Sequence, residues 1–286
     1  MSLARTGTGL EATARAFWSQ VHPVFMTPPL AASLFGAILG GEIDPVLAIV
    51  HVAAMFAAVY TAHVKDGYVD FHVRGEDDDH PLTERGCRVA LALSTGTVAV
   101  CCGLLFVLVD WVAVALTVPT WLIAYHHAPQ LDTNPVTATT GYPLGIALCV
   151  LGGFYVQTAT VAAVPLGFAL VFLVLLSGIK VIDDTQDYAY DRSIRKRTVA
   201  VAVGPARAYT IAYGLMGTAL TLVVGLAVAH VFPPTAAVAA LAFAAVAAVA
   251  RRATPSIATM LLIRGSYVFL AVLVAAVRFE PLQILL

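Results

Sequence analysis

The chain has 286 residues, is 60% hydrophobic and only 12% charged, about half the roughly 25% charge of a soluble domain, so a soluble globular protein is excluded. A net charge of −1 points to no partner by itself, and no nucleic-acid partner is expected. Cys87, Cys101, Cys102 and Cys149 show no CxxC spacing and three of them lie in apolar runs, so they read as small buried hydrophobes rather than a disulfide framework or a metal site.

Residues 1–20 are too polar for a secretory signal, and the apolar run after them has no A-x-A cleavage site; they are expected to form a cytoplasmic segment of one domain covering 1–286. From there hydropathy predicts nine spans, at about 21–41, 45–65, 87–109, 111–128, 138–160, 161–182, 205–230, 233–250 and 255–277. Several approach or exceed the roughly 20 residues needed to cross a bilayer, which makes this an all-α polytopic membrane protein. Pro28, Pro29, Pro119, Pro143 and Pro165 fall inside spans, where neighbouring helices can resatisfy the backbone.

Nine spans put the termini on opposite sides, with the polar connections 66–86 and 183–204 on the N-terminal side. If that side is cytoplasmic, fourteen Lys and Arg residues, Arg195 among them, lie inside and only Arg278 outside. The positive-inside rule therefore expects a multi-pass cell-membrane protein with its N-terminus and acid-rich loops in the cytoplasm and its C-terminus outside. Arg264 falls within the last span, where either a structural pair or a functional role would account for it.

The stretch KVIDDTQDYAYDRSIRKRT, residues 180–198, carries Asp183, Asp184, Asp187 and Asp191. On one continuous helix these acids fall at roughly 0°, 100°, 40° and 80°, a single sector. Asp66 and Asp70, at i and i+4 after the second span, form a second such face, giving a faint internal repeat four spans apart. Two carboxylate faces at one membrane boundary repel unless a cation sits between them, and hard oxygen ligands with a shared diphosphate suit Mg2+. Lys65, Arg74, Lys180, Arg192, Lys196 and Arg197 are nearby candidates for the remaining phosphate charge. Glu76, Asp77, Asp78 and Asp79 are consecutive and point in all directions, so they read as solvated, as does Asp132. Tyr68, Tyr188 and Tyr190 flank the acids as interfacial anchors or site residues.

The pattern Asp184, Asp187, Asp191, Arg192, followed by basic residues and Thr198, resembles the second aspartate motif of the UbiA superfamily of intramembrane prenyltransferases. Asp66 and Asp70, with Pro81-Leu82 about ten residues on, resemble its first, and nine spans with motifs after the second and sixth fit the same family. The resemblance implies a UbiA-like helical bundle with two pseudo-repeated aspartate motifs at the cytoplasmic face. It implies that Asp66, Asp70, Asp184, Asp187 and Asp191 hold Mg2+ and serve catalysis, with an isoprenyl diphosphate head group between the two sets. The donor's tail would lie in an apolar cavity open to membrane lipids, and a lipophilic or membrane-surface acceptor would capture the allylic carbocation. A terpene cyclase of the same superfamily shares these motifs, and a membrane transporter is the alternative from another class.

Three departures from the family pattern stand out. Ala62 occupies the usual Asn position of the first motif, and His63 follows it, as a substitute ligand or a phosphate partner. His22-Pro23 stands where an Arg commonly precedes a Pro. After the fourth span Tyr125 and Asn134 are kept, but His126 and His127 replace basic residues, suited to phosphate binding or to proton removal from an acceptor.

Overall fold

The computed structural model describes residues 2–194 and 196–279, so the expectation for Arg195 lies outside the described residues. The chain is all-helical, and among the described residues the only β pairing is an isolated bridge between Ala4 and Leu82. Two compact units are present: Met1–Asp132 with Leu148–Val161, and Thr133–Ala147 with Ala162–Leu286.

The first unit begins with α1 (Gly9–Trp18) and α2 (Pro23–Leu39). Asp44 then caps α3 (Pro45–Gly67) by accepting from the amides of Val46 and Leu47, ahead of a proline whose missing N–H costs nothing there. The helix does not stop at the expected boundary: it widens into a π-helical turn over Tyr68–Arg74, ended by Gly75 in the left-handed conformation at φ 64°. Thr83 accepts from the Gly86 amide to start α4 (Glu84–Leu108), and Asp110 does the same for α5 (Trp111–His126) through Val112 and Ala113. A bent turn over His127–Leu131 follows.

α6 (Pro135–Thr158) contributes its second half to this unit, where it crosses α2 at close range. A β-carbon on Gly36 would lie 2.1 Å from the Val150 carbonyl oxygen, and one on Gly153 would lie 2.0 Å from that of Ser33, so only glycine permits the approach. Beside the crossing, fully buried His51 hydrogen-bonds Ser33 at 2.7 Å, which leaves neither side chain's polarity wholly unmatched in an apolar interior. The N-terminal residues strap the loop after the π turn. The Arg5 amide donates to Pro81 O at 2.9 Å, the Thr83 amide donates to Leu3 O at 3.0 Å, and Ala4, Val64, Leu82 and Cys87 share one buried cluster.

The second unit contains α7 (Ala163–Gln186), α8 (Tyr188–Ser193), α9 (Val199–Val203), α10 (Pro205–Val228), α11 (Ala237–Ala250) and α12 (Pro255–Phe279). α7 packs chiefly against α10, and α11 against α12, where Phe243 meets Phe269 edge-on at 5.8 Å. Asn134 caps the start of α6 through the Val136 amide, and Thr198 caps α9 through Val201.

A helix occupies each of the nine expected stretches, and six are long and apolar enough to cross a membrane. α1 and α2 make a seventh if they count as one span, bent by 66° at the break between them. α5 and α11, at 16 and 14 residues, are shorter than a full crossing requires. The chain is a multi-pass membrane protein.

Candidate active site

Asp66 lies in the last turn of α3 and Asp70 in the π turn, both half-buried. Arg74 closes that turn and gathers carboxylates from three places. Its guanidinium donates to Asp132 at 2.8 Å and stands 3.6 Å from Asp70 and 3.7 Å from Glu76. The planar fork of arginine suits this better than a lysine point charge, because separate nitrogens face separate acids. Asp132 and Glu76 were expected to be solvated. Their side chains are only 11% and 9% exposed, because Arg74 supplies the counter-charge that lets them leave water. The consecutive acids thus separate: Glu76 turns inward, while Asp77, Asp78 and Asp79 stay exposed.

The other first-unit candidates sit around this turn. Lys65 places its ammonium 5.0 Å from the Tyr125 ring centre and 5.8 Å from that of Tyr68, a cation held by two aromatic faces. His126 is exposed, with its ring edge-on to Tyr125 at 5.4 Å. His63 packs against His22 at 4.8 Å, and its Nε2 is buried with no hydrogen-bond partner among the described residues. So two of the four histidines standing at departures from the family pattern, His22 and His63, meet each other.

In the second unit the acids do not share one continuous helical face. α7 ends at Gln186, and Asp187, at φ −93° and ψ 10°, stands just before the separate short helix α8 without a side-chain capping bond. The break changes the register, so a projection at 100° per residue fails beyond it. Asp184 and Asp191 are buried at 4% and 5% exposure, Asp187 is exposed, and Asp183 is intermediate. Lys180 donates to Asp184 at 2.5 Å and to Asp183 at 3.3 Å, one helical turn apart on α7. Burial pushes the Asp191 carboxyl above the usual carboxylate range, against the pull of Lys196 and with help from the nearby charges of Asp184 and Asp187. Arg192 and Arg197 are exposed and Lys196 is intermediate.

Mg2+ requires hard oxygen donors with free lone pairs. Asp184 meets that need: one carboxylate oxygen engages Lys180, and the other is buried without a hydrogen-bond donor among the described residues. The site residues thus form a carboxylate set in each unit with one cation already paired to it, half-buried in the first and ranging from buried to exposed in the second.

Apolar helices long enough to cross a membrane, with buried carboxylates at their ends, define a multi-pass membrane protein with acids set at its helix termini. The match to the UbiA prenyltransferase family over residues 26–273 makes the assignment specific: the chain belongs to that family. No curated protein sequence matches it significantly. Among solved structures, one described as digeranylgeranylglyceryl phosphate synthase is similar at 13% identity and a TM-score of 0.74, covering 93% of this chain and 97% of the other. A UbiA homolog from Archaeoglobus fulgidus bound to GPP and Mg2+ is similar at 13% identity and TM-score 0.69, over 93% and 99% of the two chains. The apo UbiA homolog from Aeropyrum pernix K1 gives 16% identity and TM-score 0.68, over 93% and 100%. At these identities the likeness is one of fold.

Proposed function

We propose that this protein transfers an isoprenyl group from an isoprenyl diphosphate to a lipid-soluble or membrane-surface acceptor, with Mg2+ as cofactor. The observation that carries the reading is the buried Asp184 carboxylate, with an oxygen left free for a cation, at the end of an apolar helix in a chain of this family. The Archaeoglobus fulgidus homolog, bound to GPP and Mg2+, supports the donor class and the metal.

Asp66 and Asp70 in the first unit, and Asp184, Asp187 and Asp191 in the second, are proposed to hold Mg2+ against diphosphate oxygens. When bound, the ion supplies Lewis-acid neutralisation of the departing diphosphate. Lys65, Arg74, Lys180, Arg192, Lys196 and Arg197 supply basic groups for the remaining phosphate charge, with His63, Tyr125 and His126 as further donor contacts. The allylic C–O bond breaks with its electron pair on the diphosphate, the acceptor attacks the carbocation, and the acceptor's displaced proton leaves. Apolar side chains keep water from quenching the cation. Lys180 and Arg74 already sit on carboxylates, so their role begins with holding Asp184 and Asp70 in place.

This reading takes all nine helical stretches as spans, α5 and α11 as short ones, with the acids and the N-terminus cytoplasmic. Incubation of the purified protein with geranyl diphosphate, Mg2+ and a membrane-lipid extract is expected to give Mg2+-dependent diphosphate release and a prenylated lipid. A cyclic hydrocarbon as the main product without acceptor would replace transfer with cyclisation. Absence of any Mg2+-dependent diphosphate release would overturn both.

A further inference from the structure

Behind the π turn, three side chains with metal-binding donor atoms converge, although their H-x7-H-x6-C spacing has no recognisable signature. His72 comes from the π turn, His80 from the loop that the N-terminal strap holds, and Cys87 from the first turn of α4. One ligand atom from each lies within 4.8 Å of the other two. His80 is 4% exposed and Cys87 is fully buried.

The cluster's own hydrogen bonds do not close. His72 Nε2 and His80 Nδ1 both lie 3.2 Å from the Leu82 carbonyl oxygen, while the Leu82 amide nitrogen also lies 3.2 Å from His80 Nδ1. If Nδ1 carries the proton, it donates to the carbonyl and faces the Leu82 N–H donor to donor. If Nε2 carries it, that N–H is buried with no partner among the described residues. Either tautomer leaves a polar group unmatched; an ion taken up at Nδ1 relieves the donor-to-donor contact, fixes the proton on Nε2 and leaves that N–H to an ordered water.

We propose that His72, His80 and Cys87 bind one soft or borderline transition-metal ion of the Zn2+ class, with the Leu82 carbonyl as a fourth, oxygen donor. Two imidazoles and a thiolate select such an ion over Mg2+, which prefers oxygen. In tetrahedral zinc sites the ligand atoms stand about 3.3–3.7 Å apart, from Zn–N of about 2.0 Å and Zn–S of about 2.3 Å. Cys87 Sγ stands 4.0 Å from His80 Nδ1, so that pair closes by a few tenths of an ångström. Binding converts the Cys87 thiol to a thiolate and releases its proton. The ion ties the π turn that carries Asp70 to the start of α4, a structural role independent of the prenyl-transfer reading.

The test uses the full chain in detergent, stripped with a chelator, exchanged into excess Mg2+ to occupy hard-oxygen sites, and titrated with Co2+. One equivalent of Co2+ is expected to give a thiolate-to-cobalt charge-transfer band and tetrahedral ligand-field bands, abolished by one equivalent of Zn2+. Cys87→Ser removes the charge-transfer band. His80→Gln and His72→Gln, which keep the thiol, weaken Co2+ binding by at least the roughly 10–100-fold lost when only an outer-shell partner is removed. Asp70→Asn leaves the band unchanged. No charge-transfer band in the wild-type protein, or a band that persists in Cys87→Ser or is unweakened in both histidine variants, overturns the proposal. The histidine variants decide the matter if the serine variant does not fold.

Discussion

The two acid sets are balanced in different ways. In the second, Lys180 meets Asp183 and Asp184 at i+3 and i+4 on one helix, so the counter-charge is local. In the first, Arg74 joins Asp70 on its own turn to Asp132, which arrives 58 residues later in the chain. The local pair is held once α7 forms. The distant one requires the π turn, the bend after α5 and the packing between them. Two sets alike as sequence motifs therefore differ in how much of the fold each depends on, and substitution should separate them.

The largest effect tests what they share. Asp70→Asn and Asp184→Asn are each expected to lower Mg2+-dependent diphosphate release from geranyl diphosphate by about 10²–10³-fold, the usual loss for one electrostatic contact to a departing anion. Full activity in either variant would break the pairing of the sets. Next comes the distant cation: Arg74→Met leaves Asp132 buried and unpaired, at a cost of about 3 kcal/mol. Thermal unfolding in detergent measures it, and Asp132→Asn in the same chain should recover part of the loss, since Asp70 and Glu76 also lose the guanidinium. Lys180→Met should cost less, about 2 kcal/mol, because the lysine is partly exposed and water screens part of the interaction. Equal losses at the two positions would show that the greater exposure of Lys180 does not weaken its hold on Asp184.

A pH effect near neutrality is expected in the first unit. Burial lowers the His80 pKa from its ordinary value of 6.5. With the metal chelated, the unfolded chain binds this proton first as pH falls through 6.5, so the histidine's contribution to stability is present above that pH and is lost progressively below it. Melting temperature measured in chelator between pH 7.5 and 5.5 should fall, and His80→Gln should flatten the fall. The smallest expected effect is a control: Arg88→Ala, which breaks an exposed i,i+4 pair with Glu84, should leave the melting temperature essentially unchanged, because water screens such a pair.

Sequence patterning located the helices well because a bilayer enforces long apolar stretches whatever their packing. It located Asp184 and Asp191 as well, but on a helix presumed continuous. The break at Asp187 carries no proline or glycine to announce it. Glu76 and Asp132 carried no signal at all. Burial of an acid is decided by a partner's position, and the partner of Asp132 lies in another stretch of chain. The same holds for His72, His80 and Cys87, whose spacing resembles no metal motif and whose convergence depends on the N-terminal strap.

By itself, then, the sequence determined the membrane setting, the helical stretches and the acids at their ends, because hydropathy and i, i+4 spacing are local properties of a chain. Tertiary structure alone decided which of those acids are buried, that Arg74 meets Asp132, and that two histidines converge on one carbonyl with a cysteine beside them. Each of these depends on contacts between segments far apart in sequence, which no local periodicity records.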